Sequence, residues 1–156
     1  ALELKKKGKE FKYVIVGEGP LHKECSSFIH EHKLTDFISL LGYQPIDKVY
    51  ELMGSSRYFV LLSEKVGECL PNVIKEAMMH QCYILSGRSN NISELIINSD
   101  IGIVIDNTAH EKIVKTLKMF LHMNIQADTN LQKSILMKNF NIDETTEKYL
   151  TYWKIN

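Results

Sequence analysis

Five short apolar runs alternate with longer segments of helical period along this chain, and that alternation leaves few folds open. The runs are Tyr13-Val14-Ile15-Val16, Phe37 to Leu41, Tyr58 to Leu62, Tyr83-Ile84-Leu85 and Ile101 to Ile105. The first is continuously apolar, as expected of a strand covered on both faces. Between the runs, Leu21, Cys25, Phe28 and Ile29 recur at helical spacing up to about Lys33. Asp47 to Met53 carries Val49, Tyr50 and Met53 on one side, and Pro71 to His80 is helical. Ser93 to Ile97 is a short helix, and Ile113, Leu117, Phe120 and Leu121 mark an amphipathic helix over 108–122. Ala1 to Lys7 reads as the end of a helix stopped near Gly8, and the C-terminal part, 129–154, is helical again. Strands that alternate with helices in this way predict an α/β, Rossmann-like three-layer domain with a mostly parallel sheet.

At 156 residues the chain is a single domain's worth, with an expected folded surface of roughly 8,000 Å². Nineteen basic residues balance nineteen acidic ones, so charge gives no argument for a nucleic-acid partner. The cluster Lys5, Lys6, Lys7 and Lys9 is local and reads as a solvated helix end. Cys25, Cys69 and Cys82 have no metal-ligand spacing and are odd in number, which suits a reducing, cytoplasmic compartment. No run approaches the roughly 18 apolar residues of a spanning helix. There is no His-x-x-x-His, Cys-x-x-Cys or close Asp-x-Asp, so no metal is implied. His30 and His32 stand two apart and would not share a helix face.

Two loops carry chemistry. Gly17-Glu18-Gly19-Pro20 follows a strand and precedes a helix, the setting in which glycines let a backbone approach a phosphate. It is not a dinucleotide fingerprint, because His22 stands where the third glycine belongs. Glycines that only make a turn are the alternative. The second loop runs Gly67-Glu68-Cys69-Leu70-Pro71-Asn72-Val73 and leads into a helix with Glu76 as its sixth residue. Pro71 suits a first helical position, and the amides of Asn72 and Val73 would be left for an anion. An ionised carboxylate is a pure acceptor, so Glu76 beside the buried line of Ile74, Ala77 and Met78 would suit sugar or ribose hydroxyls. The plainer alternative makes Glu68 a solvated loop acid and pairs Glu76 with Lys75 or another surface base. Arg88, after a strand, is a candidate phosphate contact, and His80 a candidate helix-end cap.

Taken in order, Gly17-Glu18-Gly19-Pro20, Leu41-Gly42, Ser63, Glu68 with seven residues before Glu76, Ala77-Met78, Glu94-Leu95-Ile96 and Gly102 resemble the nucleotide-sugar-binding half of the two-domain retaining glycosyltransferases of group 1, or family 4. The match runs from about Val14 to Val104 and continues loosely through Phe140-Asn141. The resemblance implies that Glu68 faces the transferred sugar as the catalytic residue and that Glu76 accepts from the ribose. It implies that main-chain amides from Cys69, Leu70, Pro71, Asn72 and Val73 meet sugar and phosphate, proline having no donor of its own. Gly17 and Gly19 would make room on the phosphate side, Leu41, Gly42 and Tyr43 would hold the base, and Ser63 would line the crevice. The donor would be a UDP- or GDP-sugar, with no cofactor and no required metal, and the acceptor a glycan or lipid-linked glycan.

The sequence departs from the family pattern at four places. Cys69 and Leu70 replace a glycine and an aromatic, Gln81 and Tyr83 stand where glycine and proline are preferred, Asn90-Asn91 replaces a glycine pair, and the loop from Ser63 to Glu68 is longer than usual. By the same resemblance, a first strand and an N-terminal acceptor-binding domain are missing, and the sheet is expected to show a gap where that strand belongs. The gap is expected to be open to an oligomeric contact, and the missing domain would hold the protein at the inner face of the membrane. The residues also leave open a non-catalytic nucleotide-sugar-binding module and, further off, an NAD-dependent Rossmann enzyme.

Overall fold

The parallel strands fall into two groups. In a computed structural model that describes residues 1–63, 70–105 and 110–141, β1 (Tyr13–Ile15) pairs with β2 (Ile38–Leu40). Separately, β3 (Tyr58–Leu61) pairs with β4 (Tyr83–Gly87), and β4 with β5 (Gly102–Ile105). All three pairings are parallel, and among the described residues no ladder joins the pair to the triplet, so the described sheet is interrupted between the two groups.

Helices complete the layers: α1 (Leu2–Lys6), α2 (His22–Glu31), α3 (Ile46–Gly54), α4 (Asn72–Met79), α5 (His110–Met123) and α6 (Thr129–Phe140). The triplet is covered on both faces, and strand periodicity shows it. Phe59, Leu61, Ile84 and Val104 pack into one core with α3, α4 and α6. Tyr58, Val60, Tyr83, Leu85, Ile103 and Ile105 pack into a second core with α5, centred on Phe120. β4 is buried along its whole length. This is the three-layer α/β arrangement that the alternation predicts.

The β1–β2 unit has buried residues of its own, while Glu3 of α1 pairs with Lys118 of α5 at 3.6 Å. The unit's buried residues Leu4, Ile29 and Leu34 belong to neither core among the described residues. Lys5 ties α1 to the end of α2, its Nζ donating to the carbonyls of His32 and Lys33 at 3.0 and 2.5 Å. Of the stripe on α2 that spacing marks as one face, Ile29 is buried, while Leu21, Cys25 and Phe28 are exposed. The total surface, 10987 Å², exceeds the expectation for a closed domain of this mass.

The sequence boundaries need small adjustments. Pro71 is the residue before α4, with φ −56° and ψ 123°, not its first helical position. The segment around Ser93 is a single 3₁₀ turn, Ile92–Glu94. Asn91 precedes it in the left-handed region at φ 61°, a conformation that asparagine tolerates better than most residues. The second C-terminal helix expected over 144–154 lies outside the described residues.

Candidate active-site crevice

The described residues singled out from sequence fall in two groups beyond the C-terminal ends of the strands, one at the β1–β2 end and one at the β3–β4 end, where parallel sheets present loops and helix N-termini to ligands. At the β1–β2 end, the Gly17 amide donates to the Gly42 carbonyl at 2.8 Å and joins the two loops. Gly17 has φ +117°, a conformation closed to most side chains, and a Cβ there would meet nothing within 4 Å. Gly19 is equally open. Gly42 is buried at φ +64°, and Glu18 Oε1 lies 3.2 Å from where its Cβ would be. Glu18 is a contributor that the motif contained without assigning it a role. Tyr43 is 77% exposed and Leu41 is at the edge of exposure, so an aromatic face is free beside the glycine loop.

At the β3–β4 end, Ser63 follows β3, and its carbonyl lies 3.3 Å from a Cβ built on Gly87. The Leu70 amide donates to Asn90 O at 3.3 Å, so the loop after β4 rests against the entrance of α4. Leu70 is itself left-handed at φ 50°, a strained conformation for leucine. Among the described residues no side chain caps α4. The first main-chain bond of its entrance runs from Ile74 N to Pro71 O, and no backbone acceptor is described for the amides of Asn72 and Val73. Uncapped amides at a helix start attract anions through both hydrogen bonds and the helix dipole.

Glu76 lies about one turn further on and is partly buried. Among the described residues its carboxylate has no hydrogen-bond or ion-pair partner. The plain alternative paired it with Lys75, but Lys75 Nζ sits over the Phe140 ring at 4.8 Å. His80 caps the end of α4: its Nδ1 is 2.9 Å from the Glu76 carbonyl and its ring stacks on Tyr50. Arg88 is exposed just past β4 and makes a contact of its own. Glu68 and Cys69 lie outside the described residues. No contact is described between the β1–β2 group of site residues and the β3–β4 group.

Sequence reasoning passed over Ser89. Its Oγ is buried without a partner among the described residues, and a serine in a polar loop carries no sequence signal for that. Two open cavities lie elsewhere. One, of about 520 Å³, is lined by Phe11, Lys12, Asp36 and Phe37, before β1 and β2, and the other, of about 430 Å³, lies between α1 and α5. Among the described residues, no group of three His, Cys, Asp or Glu side chains could hold a metal ion, and no helix is long and apolar enough to cross a membrane.

Comparison with known proteins bears on the family and the fold. The chain is 24% identical over 126 residues to a colanic acid biosynthesis glycosyltransferase, WcaL, of Escherichia coli, covering 78% of this chain and 31% of that protein. It is 24% identical over 153 residues to the amylovoran biosynthesis glycosyltransferase AmsK of Erwinia amylovora, covering 96% and 37%. It thus spans about a third of the length of these relatives. Among solved structures, HepE of Anabaena in complex with UDP superposes with a TM-score of 0.71 at 15% identity, over 91% of this chain and 41% of that one. A glycosyltransferase of Rickettsia africae gives 0.73 at 18%, over 98% and 42%. The pneumococcal O-GlcNAc transferase GtfA, in complex with UDP and GlcNAc, gives 0.71 at 19%, over 97% and 30%. The family model for glycosyl transferases group 1 matches residues 1–135, and the chain belongs to that family.

Proposed function

We propose that this chain is the donor-binding half of a retaining glycosyltransferase that moves a sugar from a nucleoside-diphosphate sugar, carried on UDP or GDP, to a glycan or lipid-linked acceptor. The observation that carries the proposal is the pairing, among the described residues, of an α4 entrance without a side-chain cap and a partly buried Glu76 carboxylate without a partner. An anion at the entrance and two hydroxyls at the carboxylate would satisfy both groups at once. A nucleoside diphosphate with its ribose offers that combination.

In this reading the amides of Asn72 and Val73 hold the diphosphate and stabilise it as it departs, with Arg88 as a further phosphate contact. Glu76 accepts from the ribose, and Leu41, Gly42 and Tyr43 hold the base. Ser63, Cys69 and Leu70 line the sugar side, and Glu68 is the catalytic residue at the anomeric carbon. No metal enters the scheme. The interruption between β1 and β3 takes a first strand supplied together with an N-terminal acceptor-binding domain. That domain would bring the enzyme to the inner face of the membrane, and the same open edges offer a contact to a second copy.

The test uses the intact protein. Ligand-observed NMR with UDP, GDP, ADP and NAD identifies the nucleotide, and calorimetry follows it into variants. Glu76→Ala should weaken binding by about 1–3 kcal/mol, the range for one buried acceptor. Glu68→Ala should lower kcat while leaving much of the donor affinity. Unchanged affinity in Glu76→Ala refutes the ribose role. NAD bound more tightly than UDP and GDP supports the oxidoreductase reading instead, and donor binding with turnover indifferent to Glu68 supports the non-catalytic module.

A further inference from the structure

The entry ends of β1 and β2, opposite the crevice, concentrate positive charge in a chain whose formal total is zero. Residues 5–12 hold five lysines against one carboxylate, Glu10. Taken alone they read as a solvated helix end, but the fold gathers others beside them. Lys5 Nζ donates to the carbonyls of His32 and Lys33, which brings Lys33 from the end of α2 against α1. Lys12 Nζ donates to Asp36 O at 2.6 Å, across the starts of the two strands. Lys6, Lys7, Lys9, Lys12 and Lys33 are exposed. Here the cavity of about 520 Å³ opens, and its lining includes the rings of Phe11 and Phe37, stacked with centroids 5.1 Å apart. A partly apolar hollow edged by flexible ammonium groups fits a layer of anionic headgroups over hydrocarbon, where apolar burial and charge attraction act together. It fits nucleic acid poorly. Phe37 already meets the Phe11 ring and, at 5.8 Å, Lys5 Nζ, which takes up ring face that stacked bases would need. Glu10 and Asp36 stand in the same lining, where they would repel an entering phosphate.

We propose that this lysine-rich end is a docking surface for membranes of anionic phospholipid. The contact is independent of donor binding and lies on this chain itself, whereas the resemblance places membrane attachment on the N-terminal domain. Each lysine near such a surface contributes about a fivefold gain in affinity, and the attraction fades within a Debye length. The exposed Glu10 and Asp36 carboxylates offset two of the five exposed lysines. The preference for anionic over neutral lipid should therefore be on the order of a hundredfold. Binding of that strength is reversible and sensitive to salt.

The experiment sediments the intact protein with vesicles of phosphatidylcholine alone, or of phosphatidylcholine and phosphatidylglycerol in equal parts, at low and high salt. The parent should bind the anionic vesicles at low salt, release them at high salt and leave the neutral ones in suspension. Lys7→Gln combined with Lys9→Gln should weaken binding about 25-fold, two lysines at fivefold each. Among the described residues neither side chain has a partner, so this variant should melt with the parent. Lys23→Gln combined with Lys48→Gln makes the same change of charge in the first turns of α2 and α3, at the crevice end. It should alter binding by about twofold or less, because those positions lie beyond the screening distance. Failure of the parent to bind anionic vesicles, or equal binding to neutral ones, would overturn the proposal. So would a Lys7 and Lys9 variant that binds like the parent, or equal losses in the two double variants, the pattern of bulk charge. Tighter binding to single-stranded DNA than to the vesicles, lost in the Lys7 and Lys9 variant, would assign the surface to nucleic acid and overturn it as well.

Discussion

Gly102→Ala should destabilise the domain through a backbone clash. A Cβ built on Gly102 would lie 2.4 Å from the carbonyl oxygen of Ile84 and 2.8 Å from its Cβ, on the adjacent strand. Ordinary contacts begin near 3.4 Å, so the β4–β5 ladder must open by roughly 1 Å against a strand spacing of about 4.8 Å. Ile84 cannot yield easily, because it is fully buried with Ile101 and Leu95 in the core beneath α4. Overpacking of this kind costs about 1–3 kcal/mol, and more where backbone must move. Alanine recovers about 0.4–1 kcal/mol by restricting the unfolded chain. Because backbone must move, the cost sits toward the upper end, and the net loss should be about 1–2.5 kcal/mol, or roughly 2–10 °C in melting temperature for a domain of this size. Thermal unfolding followed by circular dichroism measures it, with two glycines as controls. Gly19→Ala meets nothing within 4 Å and needs no positive φ, so it should be neutral. Gly17→Ala also meets nothing, but at φ +117° it should lose about 1–2 kcal/mol to backbone strain alone. A Gly102→Ala melting temperature within 1 °C of the parent would refute the packing argument.

Other perturbations follow from single contacts. Asp128 caps α6, its Oδ1 accepting from Leu131 N at 2.9 Å, and Asp128→Ala should cost about 1 kcal/mol in denaturant unfolding. Gln81 holds φ 64° between α4 and β4, so Gln81→Gly should stabilise by up to about 1 kcal/mol in the same assay. Burial pushes the Cys82 thiol up to about 11 from 9.0. Below pH 9 the thiol is neutral in both states and its full contribution is present. As pH rises from about 9 to 11 the unfolded chain ionises first, and roughly 2–3 kcal/mol of stability should be lost. Burial likewise raises Tyr58 and Tyr83 from 10.0, and both steepen the decline. The slope of unfolding free energy against pH in Cys82→Ala isolates the thiol's share.

The strands were the most legible part of the sequence, because two-sided burial leaves uninterrupted apolar runs such as Tyr83-Ile84-Leu85. Periodicity assigned Leu21, Cys25, Phe28 and Ile29 to one face, but it cannot say whether another element covers that face. Only Ile29 of the four is buried. The glycines were legible as turns, whereas the requirement at Gly102 depends on how closely β4 and β5 approach and leaves no mark in the sequence. Asn91 stands where the family pattern has a glycine and holds φ 61°, a left-handed conformation that asparagine tolerates better than most residues. The pattern also found α4 and put Glu76 on it beside the buried Ile74, Ala77 and Met78, since a proline at a helix entrance and an apolar line at helical spacing are sequence features. Ser89 was invisible, because burial of one loop hydroxyl depends on tertiary packing.

The central claim is that the entrance of α4 grips a diphosphate. Backbone amide chemical shifts of the intact, ¹⁵N-labelled protein during a UDP titration test it most directly. The amides of Asn72 and Val73 should move the most and downfield, as they gain an anionic acceptor, while those of Phe11 and Phe37 at the opposite strand ends stay still. Saturable shifts centred on Phe11 and Phe37, or a silent α4 entrance at nucleotide concentrations that saturate binding, would contradict it.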